Sequence, residues 1–241
     1  MATKEQPPDG RQLRWSRHNR ERREQILDAA IATLEDAGPG AEVHVQEIAA
    51  RAGLSRTVVY RHFEDRADLD RSVRTEILDR LWGALLPEVT LDGTIPQIAE
   101  RVVGTYVGWA VAHPALHRFA EQDPAGGSAD TEDPLQEGLT RIASQVADLI
   151  TTAVDLLGLE PTDDERAAVD PLVFGLVGAV FGAVRRWMAR PVRTPSVPVF
   201  VSLVTESAWH LLEGFGRRLG IQLDPDQPVE DLLASAVGPS A

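Results

Sequence analysis

Between residues 55 and 62 the chain sets out Ser55, Arg56, Thr57, Tyr60, Arg61 and His62, with no acid from Arg51 to His62. Guanidinium groups bind phosphate oxygens and the guanine edge, and hydroxyls and imidazole add donors and acceptors at shorter reach. The chemistry is that of nucleic-acid contact, provided a helix presents these groups on one side. On a helix opening at Arg56, Val59 and Phe63 lie four apart and face inward. Thr57 and Arg61 then point the opposite way, with Arg56 and Tyr60 on one shoulder and His62 on the other.

The elements that must hold this face are local. Val45, Ile48, Ala49 and Ala52 repeat on one helical face, Gly53 supplies a break, Leu54 plugs the corner, and Ser55 restarts the chain as an N-cap. Two short helices joined by a tight turn are the layout of a DNA-reading helix-turn-helix, whose second helix enters the major groove while the first crosses the backbone. The same spacing also suits an ordinary helical hairpin. Upstream, Arg11, Arg14, Arg17, Arg20, Arg22 and Arg23 face a single acid, Glu21. Residues 1–19 are expected to be a flexible basic arm that reaches along phosphates or into the minor groove.

From about residue 20 to 81 the chain resembles the DNA-binding domain of TetR-family transcriptional repressors. The matching residues are the ILDAA run at 26–30, the closing Ala37 and Gly38, EIAARAGLS at 47–55, VYRHF at 59–63 and DRADL at 65–69. His44 departs from the pattern, standing where the family usually has Thr or Ser as a cap. Val58 and Val59 occupy a site often filled by a small polar residue and Leu. The resemblance covers about a quarter of the chain and implies a divergent ligand-binding and dimerisation domain in the rest. With the local chemistry it gives a candidate DNA-binding set of Arg17, Arg20, Gln46, Ser55, Arg56, Thr57, Tyr60, Arg61, His62 and Arg66.

Beyond the motif the chain reads as all-α, because apolar residues recur at three and four and strand-like alternation is missing. A first helix over about 20–37 should bury Ile26, Leu27, Ala30, Ile31 and Leu34. Leu69, Val73, Ile77 and Leu81 carry a long helix that Pro87 ends, and the resemblance makes it the connector between reading head and ligand domain. Thr94 with Gln97 and Thr162 with Glu165 are capping boxes that open further helices, one to about Ala112 and one to about Met188 with a kink or break near Pro171. Pro114 starts a short helix, and Leu139 to Leu157 mark a long one. The segment 124–133 is Gly-rich and acidic and is expected to be mobile. A helix over about 197–219 should turn Phe200, Leu203, Val204, Leu211, Leu212 and Phe215 inward, and residues 229–237 form a short terminal helix. The expected organisation is an arm at 1–19, a helix-turn-helix domain at 20–66 and a helical ligand-binding and dimerisation domain at 67–241. The helices at about 162–189 and 197–219 form the homodimer bundle.

Composition bounds the remaining classes. The absence of cysteine removes disulfides, thiolate metal sites and a Cys nucleophile. The net charge is −13, yet residues 1–75 hold 13 basic and 13 acidic side chains, so the whole excess lies downstream. An acidic body repels DNA except at a locally basic face, which favours one docking orientation. The polar N-terminus carries no signal-like apolar run, and a cytoplasmic location is expected. No phosphate loop, zinc-protease helix or nucleophile elbow is present. His113 and His117 are four apart, but Pro114 between them favours a helix start over a shared metal face. Neither an enzyme nor a bound cofactor or metal is expected. Large aromatics in the second half, Trp82, Tyr106, Trp109, Phe119, Phe174 and Phe181, are candidates for a ligand pocket, and with few polar groups near them the effector should be apolar or amphipathic. The functional expectation is a dimeric repressor that leaves an inverted-repeat DNA operator when a small-molecule effector binds. Its alternatives are a TetR-like activator, and a helical enzyme or carrier that binds no DNA.

Overall fold

The computed structural model describes residues 10–122 and 133–236. In chain order the described helices are α1 (Gly10–Ala37), α2 (Val45–Arg51), α3 (Arg56–His62) and α4 (Arg66–Leu85), then a 3-10 turn at Leu86–Glu88. They continue with α5 (Ile95–Ala112), α6 (Pro114–Ala120), α7 (Pro134–Leu156), α8 (Asp163–Met188), α9 (Val197–Arg218) and α10 (Val229–Ala236). Among the described residues there is no strand, only an isolated bridge between Thr94 and Pro228. The expected segment 124–133 falls, apart from Asp133, outside the described residues.

Local chemistry explains most helix ends. In the Thr94 box the hydroxyl accepts from the Gln97 amide at 3.3 Å, and the Gln97 side chain accepts from the Thr94 amide at 3.0 Å. The Thr162 box repeats this with Glu165 at 3.3 and 3.0 Å. Each pair satisfies amides that a helix start otherwise leaves bare. At the turn between α2 and α3, Gly53 has φ of +66°. Its amide donates to Ala50, and the Leu54 amide donates to Ala49 at 2.8 Å, closing the helix in the left-handed conformation that glycine adopts cheaply.

The chain divides into two compact units. The first comprises residues up to Ile77 together with α6, and the second comprises Leu78–His113 with α7 to α10. α4 therefore contributes to both. In the first unit α1 packs on α2, α3 and α6. Ile26, Val59, Phe63, Leu69 and Val73 form its fully buried centre. In the second, α7 packs on α8 and α5 on α9.

Three expectations are corrected. α1 begins at Gly10, so residues 10–19 are helical and not an unstructured arm, continuing the same helix into the basic stretch; residues 1–9 lie outside the described residues. α8 has no break at Pro171, and Val169 and Val173, on either side of it, belong to one buried cluster with Ala143 and Ala147 of α7. Leu203 and Leu211 of α9 are 52% and 58% exposed; the stripe that faces inward is Val201, Thr205, Ala208 and Trp209.

Candidate nucleic-acid interface and apolar cavity

α3 is anchored from below. Val59 and Phe63 are completely buried, and the Ser55 hydroxyl accepts from the Val58 amide at 3.4 Å to start the helix. Burial of that stripe leaves Ser55, Arg56, Thr57 and Arg61 exposed, with Tyr60 and His62 half-buried beside them. The Arg56 guanidinium stands 5.4 Å from the centre of the Tyr60 ring, one turn on. Gln46 of α2 and Arg17 and Arg20 of α1 are also exposed. At the start of α2, where His44 replaces the usual hydroxyl, the Glu47 carboxylate accepts from the His44 amide at 2.7 Å and supplies half a cap.

Arg66, its side chain 39% exposed, is also engaged within its own domain. Its Nε donates to the Asp70 carboxylate at 2.8 Å and its Nη1 to the Val43 carbonyl at 2.7 Å. Those bonds tie α4 to the loop before α2 and turn the guanidinium toward its own domain.

Arg23 has a role that the basic run concealed. Its guanidinium lies 4.2 Å over the Phe63 ring, and it donates to the His62 carbonyl at 2.8 Å and to Ser72 Oγ at 2.6 Å. A cation at the C-terminal carbonyls of α3 is favourable for the helix dipole, and the ring contact adds cation–π attraction. Gln25 assists from the same helix, donating to the Ala52 carbonyl at 2.8 Å. In sequence Arg23 looks like Arg20 or Arg22; only its position three residues before the buried Ile26 hints at a contact with the core.

His62 is held below its ordinary pKa by desolvation first, then by Arg22, Arg23 and His18 nearby. A depressed histidine favours the folded state while neutral. Stability is thus lost as pH falls through 6.5, where the unfolded chain takes up the proton first. Urea melts at pH 7.5 and 5.5 should show a smaller loss of stability on acidification for His62→Gln than for the parent.

The aromatic candidates do not converge on one place. Trp82, Tyr106 and Phe181 line a cavity of about 270 Å³ within the second unit, bounded by α4, α5, α7, α8, α9 and α10. Tyr106 and Phe181 stack there, 5.0 Å apart and 9° from parallel. Trp109, Phe119 and Phe174 do not line it. Trp109 lies 5.3 Å from the His113 ring, Phe119 is on α6 in the first unit, and Phe174 packs on the α7–α8 core. Most of the wall is aliphatic, including Ile98, Val102, Leu149, Val180 and Leu232, side chains that aromatic type alone does not mark. Trp82 reaches the wall because Gly138 of α7 leaves room: a Cβ there would come within 2.1 Å of the indole.

Among the described residues no group of three or more His, Asp or Glu side chains is placed to hold a metal ion. His117 is buried, with Nε2 3.6 Å from the Glu121 carboxylate.

Residues 26–73 match the model of bacterial regulatory proteins of the tetR family. An HTH-type transcriptional regulator of Mycobacterium tuberculosis is 28% identical over 211 residues, covering 86% of this chain and 83% of its own. The nucleoid occlusion factor SlmA of Marinomonas is 23% identical over 198 residues, 82% of this chain and 98% of its own. Among solved structures, a tetR-family regulator from Streptomyces coelicolor superposes with a TM-score of 0.61 at 20% identity, over 90% of this chain and 96% of that one. The regulator FadR of Bacillus subtilis, solved with stearoyl-CoA, has a TM-score of 0.56 at 17% identity, over 79% of this chain and 98% of its own.

Proposed function

The chain is a TetR-family transcriptional regulator with a helix-turn-helix DNA-binding domain, and from that premise we propose that it is a dimeric repressor released from an inverted-repeat operator by an apolar or amphipathic effector. The carrying observation is the division of α3 into a buried stripe, Val59 and Phe63, and an exposed face of Arg56, Thr57 and Arg61. Arg56 reads a guanine, Tyr60 and the α1 arginines Arg17 and Arg20 meet phosphates, and Gln46 holds the backbone beside the groove. DNA as the partner sets the protein to work in the cytoplasm.

Dimerisation accounts for what one chain leaves uncovered. Leu172 of α8 and Val199, Leu203 and Leu211 of α9 are half or more exposed. At Gly175, Gly178 and Gly182 a Cβ would meet open space. α8 is apolar and long enough to cross a bilayer by composition, and only 22% of its most apolar window is buried within one chain. A second copy of the same face, packed as a four-helix bundle, covers these residues and gives the two-fold symmetry that a palindromic site requires.

The cavity supports the effector role. A ligand shifts DNA binding only through unequal affinity for the competent and incompetent conformers. α4, which supplies Trp82 and Leu85 to the cavity wall, also supplies Leu69 and Val73 to the core of the reading head, so a change at the wall can bias it.

A gel shift on DNA upstream of its own coding sequence tests the reading. The protein should retard an inverted repeat as a dimer. Arg56→Ala should bind roughly 5- to 150-fold more weakly, a loss of about 1–3 kcal/mol, with relaxed preference at one base pair per half-site. Equal binding by this variant, or protection of a single asymmetric half-site, would remove the proposed recognition helix or the dimer respectively.

A further inference from the structure

We infer that the ligand of the second unit buries only hydrocarbon: an aliphatic chain or alicyclic body with no hydroxyl, amine or carboxylate along its buried length, any polar head remaining outside the wall. The inference rests on the effector reading above and names the chemistry that the effector must have.

The wall dictates it. Apart from Thr90 and Gly216 every lining residue is aliphatic or aromatic, none is charged, and the Tyr106 phenol and Trp82 indole N–H are the other side-chain polar groups among them. The polar groups closest in sequence are engaged elsewhere. The Thr90 hydroxyl accepts from Arg101 Nη2 at 2.8 Å. Arg101 also reaches the Asp92 carbonyl at 3.2 Å and the Glu88 carboxylate at 3.5 Å. Gln145, beside the lining Val146, turns its amide to the carbonyls of Leu86 and Val89 at 3.5 and 3.4 Å. Over most of this wall a ligand hydroxyl gives up water and meets C–H.

Closure and size agree. The segment after α9 contributes Ile221, Leu223, Val229 and Leu232 to the wall. It is held where the Val229 amide donates to the Gly93 carbonyl at 2.9 Å and Pro228 pairs with Thr94. At about 270 Å³ the space exceeds the ~150 Å³ of an apolar cavity that stays dry and accepts benzene. It therefore takes a body larger than one six-membered ring.

Calorimetric titration of the full-length protein with 1-decanol and with 1,5-decanediol decides the matter. The diol carries one hydroxyl into the buried length, and an unpartnered buried hydroxyl weakens binding by about 10- to 100-fold. Decanol should bind at least ~10-fold more tightly, and Ala99→Phe, which fills the cavity from α5, should abolish binding while keeping the helical circular dichroism. Ala153→Phe fills it from α7 should the first variant not fold. Equal affinity for both alcohols, lost in the filled variant, overturns the hydrocarbon-only ligand and leaves the effector cavity standing. Absence of binding by either alcohol, or binding indifferent to both filled variants, overturns the cavity as an effector site and this inference with it.

Discussion

Phe63→Ala should destabilise the first unit by about 3–5 kcal/mol, because deleting a buried aromatic ring loses its transfer free energy and leaves a cavity behind. Phe63 is 2% exposed, and its ring also carries the Arg23 guanidinium at 4.2 Å. The loss is therefore coupled: Arg23 keeps its bonds to His62 and Ser72 but sits over a void, and the end of α3 loses its floor. Urea denaturation followed by circular dichroism gives the magnitude, and the same variant should fail to retard operator DNA at temperatures where the parent binds. Arg23→Ala should weaken both properties less, and the double variant should lose less than the sum of the singles, since the two residues share one contact. Additive losses would mean that the ring and the guanidinium act independently.

Gly138→Ala should be the most damaging single methyl in the second unit. The added Cβ falls 2.1 Å from the Trp82 indole, far inside van der Waals contact, and Trp82 is itself 2% exposed. Either the indole leaves its site or α7 moves off α4, and overpacking of a rigid, buried ring costs about 3 kcal/mol. Since Trp82 lines the cavity, its displacement also reshapes the ligand wall. A lower midpoint in urea together with a red-shifted tryptophan emission is the expected result. Trp82→Phe in the Gly138→Ala background should restore part of the stability, because the smaller ring clears the methyl. An unchanged midpoint for Gly138→Ala would show that α7 yields there without cost.

Much of this molecule was legible in the sequence, for a physical reason. Capping boxes, the Gly53 turn, the proline at the start of α5 and the proline that closes α4 act within three to five residues, and each satisfies or removes backbone hydrogen bonds where it stands. Helix ends therefore follow from neighbours in the chain. The three- and four-residue apolar rhythm likewise marks which face of α1 to α4 is turned inward, and with it the outward position of Arg56, Thr57 and Arg61.

What only the tertiary structure decided is which partner meets each face. Arg23 and Arg66 belong by composition to the basic, DNA-facing set. They also bond within their own domain to His62, Ser72 and Val43, residues 23 to 49 positions away that no local pattern connects to them. Trp82, Tyr106 and Phe181 wall the cavity while Trp109, Phe119 and Phe174 do not, because side-chain type records hydrophobicity and not the direction in which a neighbouring helix lies. The same holds for α8, which has no break at Pro171 and shares a buried cluster with α7, and for Leu203 and Leu211, which the rhythm of α9 marks as apolar and the fold of one chain leaves in solvent. Periodicity sets a residue's angle about its own helix axis; the burial of that angle is settled by the helix opposite, and the choice of that helix is a property of the whole chain.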